Sequence, residues 1–407
     1  MRSASIGVWV GTGSCWETTA NMGISHFIEH MLFKGTAHRS ARELARAIDV
    51  LGGTLNAYTS KDHTCFYVKV LDQHLPIAVD VLADMLQHSL FDPADIEKEK
   101  TVVIEEIKMY EDVPDDLVHD LFAAAIWPGH PLGQPIVGTA ESVQSFTRDD
   151  VLAYFGQHYR PGNVVIAAAG NIRHQEVVDL VGDAFSELCS SGGAGQPEPP
   201  PPAECQRPAA LLREKETEQA HLVVGMKGLE YDHDETYALH LLSTILGGGA
   251  SSRLFQEIRE ERGLAYSVYS FQSHYRQTGA FAVYAGASPD AMEQVLDLIL
   301  AAFETVGRQG VDPRELAEAK EQLKGQIMLG LESTSGRMSR LGRGELCMGR
   351  VLTPDEIISR IDAVTPEQVH DLARRLFHEE PLVLSAVGPR LDALNLPRFG
   401  FQEVQHG

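Results

Sequence analysis

The chain repeats one pattern of elements on either side of a proline- and glycine-rich segment, and this duplication limits it to folds built from two similar halves. In the first half, an apolar-periodic run at 71–86 is followed by Asp92-Pro93 and a charged run at 94–100. In the second, a run at 288–300 is followed by Asp312-Pro313 and a charged run at 314–320. Each half therefore predicts an amphipathic helix, a short turn, Asp-Pro as a helix start, and a long second helix with apolar residues at the 3.6-residue period. Strand-like runs accompany both, at 6–10, 64–70 and 163–169, then at 221–226, 280–285 and 382–387. The helix closing each half opens on a cap, Thr147-Arg148-Asp149-Asp150 and Thr365-Pro366-Glu367-Gln368. The pattern predicts an α+β fold of two homologous α/β sandwich domains, each a mostly antiparallel sheet covered by helices on one face. Residues 191–208 cannot sustain a helix or a central strand and read as a linker. It separates a domain at 1–190 from a repeat at 209–407.

A formal charge of -23 argues against nucleic acid and anionic membrane surfaces as partners, since both need basic patches. It favours basic partners, or serves solubility alone. No apolar run reaches the roughly 18 residues that a membrane span needs. The short apolar stretch at 6–10 leads directly toward the histidine motif, so a signal peptide is not expected. The five cysteines are odd in number and scattered without a C-x-x-C pair, which suits reduced thiols in the cytoplasm.

The chemistry centres on His26-Phe27-Ile28-Glu29-His30. Histidines at i and i+4 project from one face of a helix, and Glu29 lies beside them. Neutral imidazoles bind zinc well, and a carboxylate beside the open position can deprotonate water. H-x-x-E-H is the inverted form of the zinc-peptidase motif H-E-x-x-H; the other reading is a helix with two hydrogen-bonded histidines. A catalytic zinc site usually takes three protein ligands. The helix after Asp92-Pro93 offers Glu97, Glu99, Glu105 and Glu106. Glu99 and Glu106 are about two helical turns apart and share a face, so one can ligate while the other hydrogen-bonds a ligating histidine. Chemistry alone leaves Glu105 and Glu106 open, and a solvated charged face remains a reading of this stretch.

The motif at 26–30, followed by Val102-Val103-Ile104-Glu105-Glu106-Ile107, resembles the inverted zinc metallopeptidases: pitrilysin, insulin-degrading enzyme and the mitochondrial processing peptidase. Gly23-Ile24-Ser25-His26 and Glu105-Glu106-Ile107-Lys108-Met109-Tyr110 are most similar to the short bacterial members of that family. The likeness covers nearly the whole chain. It implies a zinc endopeptidase acting on peptides or unfolded segments, with one zinc per chain held by His26, His30 and Glu106. Glu29 is then the general base and Glu99 the acid supporting the ligands. The alternative within the family is a non-catalytic or partner-requiring subunit.

The resemblance also assigns substrate contacts. Leu51-Gly52-Gly53-Thr54-Leu55-Asn56-Ala57-Tyr58 is a glycine turn feeding a short polar strand, and Asn56 and Ala57 match an edge strand that pairs with an extended peptide backbone. In the second half, Gly247-Gly248-Gly249 lacks the G-K-[ST] ending of a phosphate loop, so nucleotide binding is set aside. Beyond it, Arg259 and Tyr266 match by spacing an arginine and a tyrosine that face the substrate carbonyl, two donors suited to a developing oxyanion; a structural arginine and a core tyrosine are the other reading. The second half has no H-x-x-E-H, which makes it a degenerate repeat. Single-chain relatives enclose a chamber with four such domains, so a clamshell homodimer, or a heterodimer with a related chain, is implied. Relatives usually carry a further strand before the one at 6–10, and its absence is expected to leave a sheet edge unpaired.

Overall fold

The structure, a computed structural model, describes residues 2–190, 201 and 208–404. The expected linker at 191–208 lies outside the described residues except for 201 and 208. Two compact units are present. The first comprises Met1–Lys108, Gln134–Pro201 and Leu329–Val351; the second comprises Met109–Gly133, Pro202–Met328 and Leu352–Gly407.

In the first unit, β1 (Ser3–Val10), β2 (Thr54–Thr59), β3 (Thr64–Leu71) and β4 (Val164–Gly170) form an antiparallel sheet in the order β2-β3-β1-β4. In the second, β5 (Ala209–Glu214), β6 (Ala220–Lys227), β7 (Ala265–His274), β8 (Gly279–Ala287), β9 (Val383–Gly388) and β10 (Gln402–Glu403) form a sheet in the order β10-β5-β9-β6-β8-β7. Only its β10-β5 and β5-β9 pairs are parallel. The run β7-β8-β6-β9 repeats the order of β2-β3-β1-β4, so the duplication read from the chain is a duplication of sheets. Among the described residues nothing pairs with the outer edge of β4, whereas its counterpart β9 is flanked by β5.

The expected strands reappear with ends shifted by a few residues, and the expected helices are Leu75–His88, Pro93–Asp112, Met292–Gln309 and Pro313–Gly330. Thr147 and Thr365 each accept a hydrogen bond from the backbone three residues on and cap the closing helices. None of the described helices is long and apolar enough to cross a membrane.

Helices on one face of each sheet was the expectation, and the structure corrects it. On β1, Ala4, Ile6, Val8 and Val10 pack with the buried residues of helix Leu75–His88, while Trp9 on the opposite face packs with Met338 and Leu346 of helix Thr334–Met348. That second helix comes from the other half of the sequence. The Ser5 hydroxyl bonds the Thr334 hydroxyl at 2.8 Å. The exchange is reciprocal: helix Pro114–Ile126 packs on β9, β6 and β5, and the Ser385 hydroxyl donates to the Val118 carbonyl at 2.8 Å. A strand buried on both faces cannot alternate polar and apolar residues, which explains the continuous run at β1.

Gly342 lies directly against the sheet. A Cβ there would meet the ring of Trp9, itself fully buried, at 2.3–2.5 Å. Gly342→Ala should therefore overpack this interface and cost about 1–3 kcal/mol. Denaturant unfolding will measure it, and a midpoint unchanged from the parent chain would contradict the packing.

Candidate metal centre

The motif lies on helix Ile24–Met31. Ile24, Phe27, Ile28 and Met31 recur at i, i+3, i+4 and i+7 and are buried in the core of the first unit, each contributing about 1.5–3 kcal/mol. That seating turns His26, Glu29 and His30 to the other side. The helix start is built by residues outside it. Gly23, at φ 88°, occupies the left-handed region where a side chain would also press on the Val137 carbonyl. Glu17 accepts the backbone N–H of Gly23 at 2.6 Å and of Ser25 at 2.8 Å, supplying the acceptors that exposed helix N-termini take from water. Burial pushes the Glu17 carboxyl up to about 7 against those two N–H groups, which favour its ionised form. The Ser25 hydroxyl meets the Tyr154 hydroxyl at 2.9 Å, which in turn meets Thr12 at 2.9 Å.

Helix Pro93–Asp112 brings Glu106 opposite the two imidazoles. His26 Nε2 lies 3.7 Å from Glu106 Oε1, and His30 Nε2 lies 3.4 Å from Glu106 Oε2. One ligand atom from each of the three falls within 4.8 Å of the others. Glu105 points elsewhere, its carboxylate held by Lys108 at 2.7 Å in solvent. Glu99 is buried, with Oε1 2.8 Å from His30 Nδ1 and Oε2 2.5 Å from Lys34 Nζ. Thr59 donates its hydroxyl to Glu29 Oε2 at 2.5 Å.

The environments sort these groups. Burial, reinforced by the neighbouring His30, pushes His26 down to about 3 and keeps its imidazole neutral. Burial also works against charge on His30, but the Glu99 hydrogen bond and the carboxylates of Glu106, Glu99 and Glu29 outweigh it and raise the pKa. Burial raises Glu29 against the Thr59 hydrogen bond. Glu99 is lowered: burial opposes its charge, yet the bonds from His30 and Lys34 prevail. Two clustered imidazole nitrogens and a carboxylate, with one histidine held neutral, are a donor set that fits zinc.

Asn56 and Ala57 lie on the edge strand β2. Asn56 is exposed and its side-chain oxygen accepts the Ala57 N–H at 2.9 Å, while Ala57 is half-buried. Arg259 and Tyr266 belong to the second unit. Arg259 sits in the π-helical segment Phe255–Glu261, its guanidinium 4.7 Å over the Phe255 ring and 5.3 Å over the Tyr266 ring. Tyr266 is 74% exposed, so it is not a core tyrosine. Arg253 instead makes a bidentate pair with Glu315 at 2.7 and 2.6 Å and acts structurally. The sequence reading missed Glu17, Lys34 and Thr59. Thr59 had a signal, since it shares the inward face of β2 with Ala57; Glu17 and Lys34 had none.

Residues 1–140 match the model of insulinase, peptidase family M16, and residues 145–323 match that of the peptidase M16 inactive domain. The chain belongs to this peptidase family. It is 49% identical to an uncharacterized zinc protease, YmxG, of Bacillus subtilis, over 96% of this chain and 94% of the relative. It is 43% identical to an uncharacterized zinc protease of Streptomyces coelicolor, over 96% and 86%. Among solved structures, a protease from Helicobacter pylori shares the fold with a TM-score of 0.90 at 22% identity, covering 96% of this chain and 94% of that one. A chain of complex III2 from Candida albicans aligns with a TM-score of 0.84 at 20% identity, covering 98% and 93%.

Glu17→Ala should leave two buried N–H groups without acceptors and cost about 2 kcal/mol or more. Hydrogen exchange is expected to quicken at the amides of the motif helix, and unchanged protection there would show that Glu17 does not hold it.

Proposed function

We propose that this peptidase is a zinc-dependent endopeptidase cleaving peptides or unfolded segments, with one zinc per chain held by His26, His30 and Glu106. The convergence of those three side chains carries the reading. Bound there, zinc supplies Lewis acidity toward a scissile carbonyl and lowers the pKa of water. Glu29 is the general base. Its half-buried carboxylate takes a proton from the attacking water and returns it to the leaving amine, while the Thr59 hydroxyl fixes its orientation through Oε2. Glu99 accepts His30 Nδ1–H, which leaves the Nε2 lone pair directed at the metal position.

Asn56 and Ala57 hold substrate backbone along the edge of β2, a mode that tolerates many sequences because main-chain bonds ignore side chains. The N-terminal repeat is the catalytic domain, and the C-terminal repeat contributes Arg259 and Tyr266, whose exposed pairing suits contact with a substrate carbonyl. These residues serve the zinc of a second copy of this chain, or of a related chain, in a clamshell dimer. Scattered cysteines support a cytoplasmic setting. A partner-requiring or non-catalytic subunit is the alternative, and it predicts that the purified chain has no turnover.

Two experiments test this reading. Glu29→Gln should retain zinc by metal analysis yet lose peptide cleavage by a factor of about 100 or more; normal turnover would sink the assigned base. Mixing Glu29→Gln chains with Arg259→Ala chains should restore activity that neither has alone, and no recovery would count against a shared site.

A further inference from the structure

We infer that His38, Asp84 and His88 form a second metal site that takes zinc or a similar late transition ion. It shares no residue with the centre of His26, His30 and Glu106. The argument begins with Asp84, a carboxylate almost wholly buried within helix Leu75–His88. Its Oδ2 accepts from the Thr36 hydroxyl at 2.9 Å and from Arg39 Nη1 at 2.6 Å. Its Oδ1 faces two imidazoles at once, with His38 Nδ1 at 2.8 Å and His88 Nδ1 at 3.2 Å. The His88 Nδ1 is buried and, despite that distance, has no hydrogen-bond partner. A buried ring nitrogen beside a carboxylate oxygen but misaligned for a hydrogen bond is what an intervening cation would satisfy.

The rest of the cluster fits a metal. One atom from each of His38, Asp84 and His88 lies within 4.8 Å of the others. The far side of His88 is held as in a metal-bound histidine: Nε2 lies 3.2 Å from Glu187 Oε2, leaving Nδ1 to face the site. This repeats the pattern of Glu99 behind His30 with the ring nitrogens interchanged. The segment that carries His38 is fixed by the Ala37 N–H to the His88 carbonyl at 2.9 Å, and by the Thr36 hydroxyl, which accepts from the N–H of His38 and Arg39. Asp80, Asp84 and Glu187 outnumber the one guanidinium of Arg39, so neutral histidines leave the cluster negative. Two nitrogens and one oxygen favour zinc, nickel or copper over magnesium or calcium, which prefer oxygen alone. Exposed His38 leaves the remaining coordination positions open to water. A bound ion would clamp the segment after the motif helix onto helix Leu75–His88.

Equilibrium dialysis of the full chain against zinc, followed by metal analysis, tests the site. The parent chain should bind two ions, His88→Gln and His38→Gln one each, the double variant His26→Ala/His30→Ala one, and its combination with His88→Gln none. Circular dichroism checks that each variant is folded. In the His26→Ala/His30→Ala background, adding His38→Gln should weaken zinc binding at least tenfold. Zinc content unchanged by His88→Gln, or no zinc left in the folded His26→Ala/His30→Ala chain, would overturn the inference. A parent chain binding a single ion that only His88→Gln removes would support it while refuting the proposed catalytic site.

Discussion

Both faces of β1 must be kept from water, and much of the structure follows from that constraint. Ala4, Ile6, Val8 and Val10 look into the core shared with the motif helix and helix Leu75–His88. Trp9 looks the other way and is covered by helix Thr334–Met348, drawn from the far end of the chain. The second sheet meets the same need with helix Pro114–Ile126 from the first half. Neither half of the sequence therefore contains all the residues of one unit. The hydrophobic term is non-directional: it demands cover for an apolar face but does not say which segment provides it.

The same core sets the electrostatics of the candidate metal centre. Seating Ile24, Phe27, Ile28 and Met31 forces two imidazoles and a carboxylate toward helix Pro93–Asp112, where more carboxylates wait. Identical chemical groups then separate by environment. His26, desolvated beside another imidazole, is kept neutral, whereas His30, bonded to Glu99, is pulled toward protonation. Glu29 is raised by burial and Glu99 lowered by its two partners. Pairs of like groups driven apart in pKa are what the proposed ligands, base and support require of one site.

Much of the fold could be read directly. Period-2 and period-3.6 patterns located the strands and long helices, and Thr147 and Thr365 marked their caps. β7 escaped because Ser267, Ser270, Gln272 and Ser273 break its alternation, and much of that strand is half-exposed. The exchanged helices escaped for another reason. An amphipathic stripe shows that a face is buried, not what it is buried against. Glu105 and Glu106 are adjacent on one helix, so spacing could not rank them until the seating of Val103 and Ile107 turned Glu106 inward and left Glu105 to Lys108.

By itself the sequence determined what lies within a few turns of chain: the duplication, most of the strands and the long helices, and His26, Glu29 and His30 on one helix face. Backbone periodicity suffices for that, since residues three or four apart in a helix are neighbours whatever surrounds them. Only the tertiary structure decided that Glu17 would cap the motif helix, that Glu99 and Lys34 would pair behind His30, that Thr59 would bond Glu29, and which half would cover which sheet. Most of those contacts join segments remote in sequence, and the Glu17 cap, six and eight residues from its partners, depends on a loop that no helical period sets. Their geometry depends on the summed packing within each unit, which no local pattern encodes.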